Sequence, residues 1–159
     1  MFGVRVIGLA VAMQGDSKAT AFGVVVDDRS GSPAVTDRFE ITNDDGDLPT
    51  RLYDMAEAIR TRVDSLEPDA VAIRRADFPP TGSRQEAPKV RLLVEGALAS
   101  GARSRCKSTY LGTGRDIGTW CGADKSSVEA DAQALVKATG IAQKFAPATT
   151  AALGALAHP

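Results

Sequence analysis

Two aspartates stand where chemistry is easiest to place in this 159-residue sequence. Asp16 follows the apolar run Val4 to Ala12, and Asp77 follows Ala70 to Ile73. A carboxylate just past a strand can ligate a divalent metal or take a proton. Aspartate also favours turns by bonding its own backbone, which explains both positions equally well. The basic candidates lie further on. Ser104 to Leu111 reads as a strand, and Arg103 at its start, Arg105 and Lys107 alternate along it, so all three share one face. Such a row suits contact with a nucleic-acid backbone. It suits an edge strand guarded by charge equally well. Gly112-Thr113-Gly114-Arg115 offers backbone N–H groups to a phosphate, although a lone Gly-x-Gly is more simply an ordinary loop. Lys125 and Ser126 open a helix, where anions are favoured and where capping and solvation are the plain alternative. Tyr110 and Trp120 lie nearby and can stack on a base or pack in the core.

Several chemistries are disfavoured. There is one histidine, His158, at the end of the chain, which argues against a Ser-His-Asp triad and a histidine-rich metal site. Cys106 and Cys121 lie far from any CxxC pattern; a bridge is conceivable, but free thiols in a reduced, cytoplasmic protein are the expectation. No run approaches the ~18 apolar residues that span a bilayer, so no membrane partner is expected. The start, Met-Phe-Gly-Val-Arg, leads straight into a strand, so no signal peptide is expected. The length fits a single domain, 1–159, large enough for a real core. Net charge is −1 but unevenly spread. From Asp16 to Asp69, 13 acids face 6 bases, whereas from Arg84 to Arg115, 7 bases face 2 acids. That asymmetry marks either a face for an acidic partner or unevenly sampled solvated surface.

The elements that must position these residues follow from periodicity. Val4 to Ala12 is a buried strand carrying no carboxylate. Lys18 to Asp28 and Ala34 to Thr42 complete an antiparallel meander, with a strong turn at Asp27 to Pro33. Leu52, Met55, Ile59 and Val63 predict a helix from Leu48 to Leu66, capped by Asp47. Ala70 to Ile73 is a short strand, parallel to the first after the helical crossover. A loop follows from Arg75 to Ser83. Val90, Leu93, Val94, Ala97 and Leu98 then mark a helix that ends at Gly101. After the Ser104–Leu111 strand come helices from Asp124 to Lys137, ended by Gly140, and from Pro147 to Ala157. The order β-β-β-α-β-α-β-α-α implies an α/β, ribonuclease H-like mixed sheet, flanked by helices on both faces.

In that order the segments resemble the RuvC Holliday-junction resolvases over nearly the whole chain. Ile7-Gly8-Leu9-Ala10 sits where that family has an apolar-Gly-Ile-Asp motif, and Thr20 to Val25 matches its Thr-aromatic-Gly-Val strand. Asp47 to Leu52 matches the start of its first helix, and Asp69 to Ile73 the strand ending in a catalytic glutamate. Glu95-Gly96-Ala97-Leu98 falls in the central helix, Asp124 to Val128 at a basic capped helix start, and Ala151 to His158 in the Ala/Leu-rich final helix. The resemblance implies four carboxylates holding two divalent metals that activate a water and stabilise the leaving oxygen. At those positions this sequence has Ala10, Arg74, Pro147 and Thr150. The expectation is a catalytically inactive RuvC-like protein that binds nucleic acid or serves as a scaffold, with no metal and no cofactor. The nucleic-acid contacts would be Arg103, Arg105, Lys107, Arg115, Lys125 and Ser126. Two alternatives stay open. One is a divergent structure-selective endonuclease using Asp16 and Asp77, which alone would need magnesium or manganese. The other is a protein-interaction module. The partners implied are DNA, branched or duplex, and a second copy of the chain through the Pro88–Ala99 helix, whose small residues suit packing against its own sheet equally well.

Overall fold

Apolar runs rich in β-branched residues make the first two strands, both buried through their middles, and turn residues set the register of the first three. The computed structural model describes residues 3–43, 45–77 and 86–159. β1 (Val4–Gln14) and β2 (Lys18–Arg29) meet at a turn where Gly15 has φ 68°. β2 and β3 (Ser32–Thr42) are joined by Ser30 and Gly31, both at positive φ, a geometry that matches strand twist in a two-residue hairpin. The strands thus run further into the Asp27–Pro33 segment than its turn-rich composition suggests. Pro33 is tolerated because β3 is an edge strand.

α1 (Leu48–Leu66) starts at Asp47, whose carboxylate accepts from the Thr50 N–H at 2.9 Å. It crosses over to β4 (Ala70–Arg74), which pairs parallel with β1. α2 (Glu86–Arg103) leads to β5 (Thr109–Gly112), parallel to β4. α3 (Gly114–Trp120), α4 (Lys125–Thr139), a 3-10 turn at Gln143–Phe145 and α5 (Ala146–Ala157) complete the chain. The sheet order is β3-β2-β1-β4-β5, with β1 at its centre.

The two faces of β1 build two cores. Ile7, Leu9 and Val11 face α1 and α2, while Val6 and Ala10 face α5. Gly8 shares the α5 face. A Cβ there would lie 2.0 Å from the Ala148 carbonyl oxygen and 2.5 Å from the Ala152 nitrogen. That close approach explains the alanine-rich composition of α5, in which Ala148, Ala151 and Ala152 are fully buried.

Three expectations need correction here. α2 does not end at Gly101, which is instead where α1 comes closest; a Cβ there would be 2.7 Å from the Ala56 carbonyl oxygen. Leu93 is 48% exposed, and the buried stripe is Val90, Val94, Leu98 and Ala102. Arg103, Arg105 and Lys107 form no strand row. Arg103 ends α2, and the Cys106 N–H still bonds the Ala102 carbonyl, so residues 104–107 wind rather than extend. Burial of Ala102 and Cys106 at helical spacing overrides the alternating charge. Residues 78–83 of the expected loop lie outside the described residues. No described helix is long and apolar enough to cross a membrane.

Candidate functional site at one end of the central strands

The parallel pairing of β1 with β4 sets Ala10 beside Arg74. The antiparallel pairing with β2 sets Ala10 beside Phe22. α5 packs on this face, and its first turns bring Pro147 and Thr150 to the same end. A cleft of about 610 Å³ results, lined by Ala10, Phe22, Arg74, Pro147 and Thr150, with Arg91 from α2, Glu129 and Gln133 from α4, and Gln143 and Lys144 beside them. Ala10, Arg74, Pro147 and Thr150, the four positions at which the resemblance would place carboxylates, therefore converge on one cleft. They carry a methyl group, a guanidinium, a pyrrolidine ring and a hydroxyl. The Thr150 hydroxyl is committed to its own helix, donating to the Ala146 carbonyl at 3.1 Å.

Arg74 is the centre of the cleft's charge. Its side chain is 13% exposed. Nη1 donates to the Arg75 carbonyl at 3.1 Å and Nη2 to Glu129 Oε1 at 3.4 Å. Asp77 Oδ2 lies 3.8 Å from Arg74 Nη2 and accepts from Lys125 Nζ at 2.7 Å. Lys125 Nζ is also 3.9 Å from Glu129 Oε1, so two cations and two anions interleave. The hydrogen bond from Lys125, aided by the charge of Arg74, holds the Asp77 carboxyl below the usual range despite partial burial. Gly114 makes room for this group, since a Cβ there would sit 2.9 Å from both Arg74 Nη2 and Lys125 Cε. Its helix α3, absent from the sequence-derived order, is fixed by a capping box between Thr113 and Asp116.

Glu95 supports the site from beneath. It is fully buried on α2, and its Oε2 accepts from the Ala76 N–H at 2.8 Å and from Arg91 Nε at 3.3 Å. It therefore ties the exit of β4 to an arginine on the cleft wall. Burial pushes its carboxyl above the ordinary glutamate value of 4.5, against the opposing pull of Ala76 and Arg91. The folded protein thus binds this proton more tightly than the unfolded chain. Stability relative to Glu95→Gln is expected to fall as pH rises from the ordinary glutamate range through the raised folded value, then to level off. Urea midpoints of the two proteins across that pH range check this. Parallel curves would refute it.

The remaining candidates are scattered. Asp16 is exposed on the β1–β2 turn and does not line the cleft. Ser126 is exposed in the first turn of α4, whose cap is Asp124, accepting from the Ser127 N–H at 2.8 Å. Arg115 is exposed in the first turn of α3. Arg103, Arg105 and Lys107 precede β5, at the end of the parallel strands opposite the cleft, and Arg105 pairs with Asp64 at 3.2 Å. Tyr110 is stacked on His158 at 3.7 Å, with Trp120 edge-on to both. Glu129 escaped the sequence reading, and Glu95 entered it only as part of a helix motif, without a role. Each lies four residues beyond a base, Lys125 and Arg91, and that helical spacing was the available clue.

A two-metal centre needs several carboxylate oxygens facing one point. Among the described residues, no three His, Cys, Asp or Glu side chains form such a group. Glu129, which lines the cleft, and Asp77 beside it are engaged by Arg74 and Lys125. The residues present do not fit magnesium or manganese.

Solved structures match this arrangement of strands and helices. Thermus thermophilus RuvC superposes with a TM-score of 0.65 at 14% identity, covering 95% of this chain and 92% of its own. The fold is that of the RuvC resolvases. The same protein in complex with its Holliday junction substrate gives a TM-score of 0.65 at 15% identity, covering 95% and 91% of the two chains. The yeast mitochondrial Holliday junction resolvase Ydc2 gives 0.58 at 12% identity, covering 97% and 79%. By sequence, the RuvC-like chain matches no family model and no curated protein.

Proposed function

We propose that this chain is a catalytically inactive protein on a RuvC-like fold, which binds nucleic acid, branched or duplex, without a metal cofactor. One observation carries the reading: Ala10, Arg74, Pro147 and Thr150 meet in a single cleft, and the group at its centre is a guanidinium held by Glu129. A guanidinium at that point repels cations and attracts a phosphate. Arg91, Lys125 and Lys144 bring further cationic side chains to it, each paired with a carboxylate, and Phe22 presents an aromatic ring. The relocated-nuclease alternative has little support, since Asp16 stands outside the cleft and Asp77 is paired with Lys125. A protein-contact role has one observation in its favour, the half-exposed Leu92 and Leu93 on α2, which would also suit a second copy of the chain.

The test is a fluorescence-anisotropy titration of four-way-junction and duplex DNA at two salt concentrations, with chelator present. Binding that weakens with salt supports the reading. Absence of binding to either DNA overturns it, and dimerisation in the same preparation would then favour the protein-contact role.

A further inference from the structure

The cations of the cleft are matched by carboxylates. Arg74 meets Glu129 and Asp77, Lys125 meets Asp77 and Glu129, Arg91 meets Glu95, and Lys144 meets Glu40 at 2.6 Å. These acids differ in how firmly they are set. Glu95 is fully enclosed and Glu129 is 35% exposed, whereas Asp77 is 52% exposed and reaches its partners from beyond the end of β4. Its carboxylate lies between Lys125 Nζ and Arg74 Nη2, as a phosphate oxygen would.

We propose that Asp77 is an internal phosphate surrogate: Arg74 and Lys125 form a subsite for one backbone phosphodiester, which enters by exchanging with the Asp77 carboxylate. This rests on the nucleic-acid reading above and adds how the site is controlled. The exchange is accessible because a solvent-exposed ion pair holds its partners only weakly. Lys125 sits on a flexible stem, 40% exposed, and can follow an incoming phosphate. Arg74 stays in place, fixed by the Arg75 carbonyl and Glu129. The phosphodiester brings the charge that Asp77 takes away, so the cluster stays neutral throughout. A ligand offering several phosphates gains from contacts elsewhere in the cleft and displaces Asp77. A lone inorganic phosphate has no such support.

The test compares wild type with Asp77→Asn, Asp77→Ser and Asp77→Asn/Lys125→Ala, using the junction and duplex probes over a salt series, with thermal midpoints of each protein. Both single variants are expected to bind more tightly than wild type, by about three- to tenfold at low salt, because a like charge next to the phosphate is gone. Their salt dependence should steepen by up to about one unit of slope, because the freed cation now neutralises a phosphate without losing a protein anion. Adding Lys125→Ala should erase the gain. A purely structural role for Asp77 would lower the midpoint and leave the slope unchanged. The proposal is overturned if wild type binds and both single variants bind equally or more weakly. If no protein of the set binds DNA, the nucleic-acid reading itself falls.

Discussion

Combining Ala10→Asp, Arg74→Glu, Pro147→Asp and Thr150→Asp in one chain is expected to create a divalent-metal site that the native protein lacks. The four positions already meet in one cleft, so acids there would face one another without a change of fold. Without metal, the variant suffers. It loses the Arg74 pair with Glu129 and gathers like charges, with Thr150 and Ala10 only 2% and 3% exposed. Manganese should reverse this. At about a hundredfold excess over the dissociation constant, binding adds ~2.7 kcal/mol. For a chain of this size that raises the melting point by about 5–10 °C. The native protein should not shift at the same manganese concentration. Equal shifts in both proteins would show that the native cleft already holds metal. No shift in the variant would show that the four positions do not converge as described.

The second large effect concerns Gly8. A methyl group there would meet the Ala148 carbonyl at 2.0 Å and the Ala152 Cβ at 2.8 Å, and neither contact is a flexible side-chain tip. α5 must move off β1 to admit it. Gly8→Ala is therefore expected to cost about 3 kcal/mol, the upper end of ordinary overpacking. The melting point should fall by roughly 6–12 °C. Because α5 also carries Pro147 and Thr150, the same shift widens the cleft. Gly15→Ala is the contrast: a Cβ there has nothing within 4 Å, and only the φ of 68° opposes it. If Gly8→Ala were as stable as the native protein, the close seating of α5 on β1 would be wrong.

Local rules made most of the fold legible. Apolar spacing at Phe22, Val24 and Val26 and at Phe39 and Ile41, with turn residues between, specified the meander. Asp47 and the Leu52–Val63 spacing specified α1. Local rules failed where tertiary contact decided the outcome. Gly101 looks like a helix end, yet it is the point at which α1 and α2 touch. Gly112 and Gly114 look like a loop, yet Thr113 and Asp116 close a capping box between them. Arg103 to Lys107 alternates like a strand, but buried Ala102 and Cys106 wind it as a turn. The candidate site was legible only through the resemblance. Ala10 and Pro147 carry no chemistry that would single them out, and they come together only when β1, β4 and α5 pack. Glu129 and Glu95 gain their meaning from Arg74, Lys125 and Ala76, partners that composition alone cannot supply.

We propose above that this cleft engages nucleic acid without cutting it. The most direct measurement incubates a labelled four-way junction with the native protein and manganese, then resolves the strands on a denaturing gel beside a native gel of the same samples. A salt-sensitive shift on the native gel is expected, with intact strands on the denaturing gel. Metal-dependent strand cleavage by the native protein, abolished in Asp77→Asn or Glu129→Gln, would contradict it and assign those two carboxylates a catalytic role.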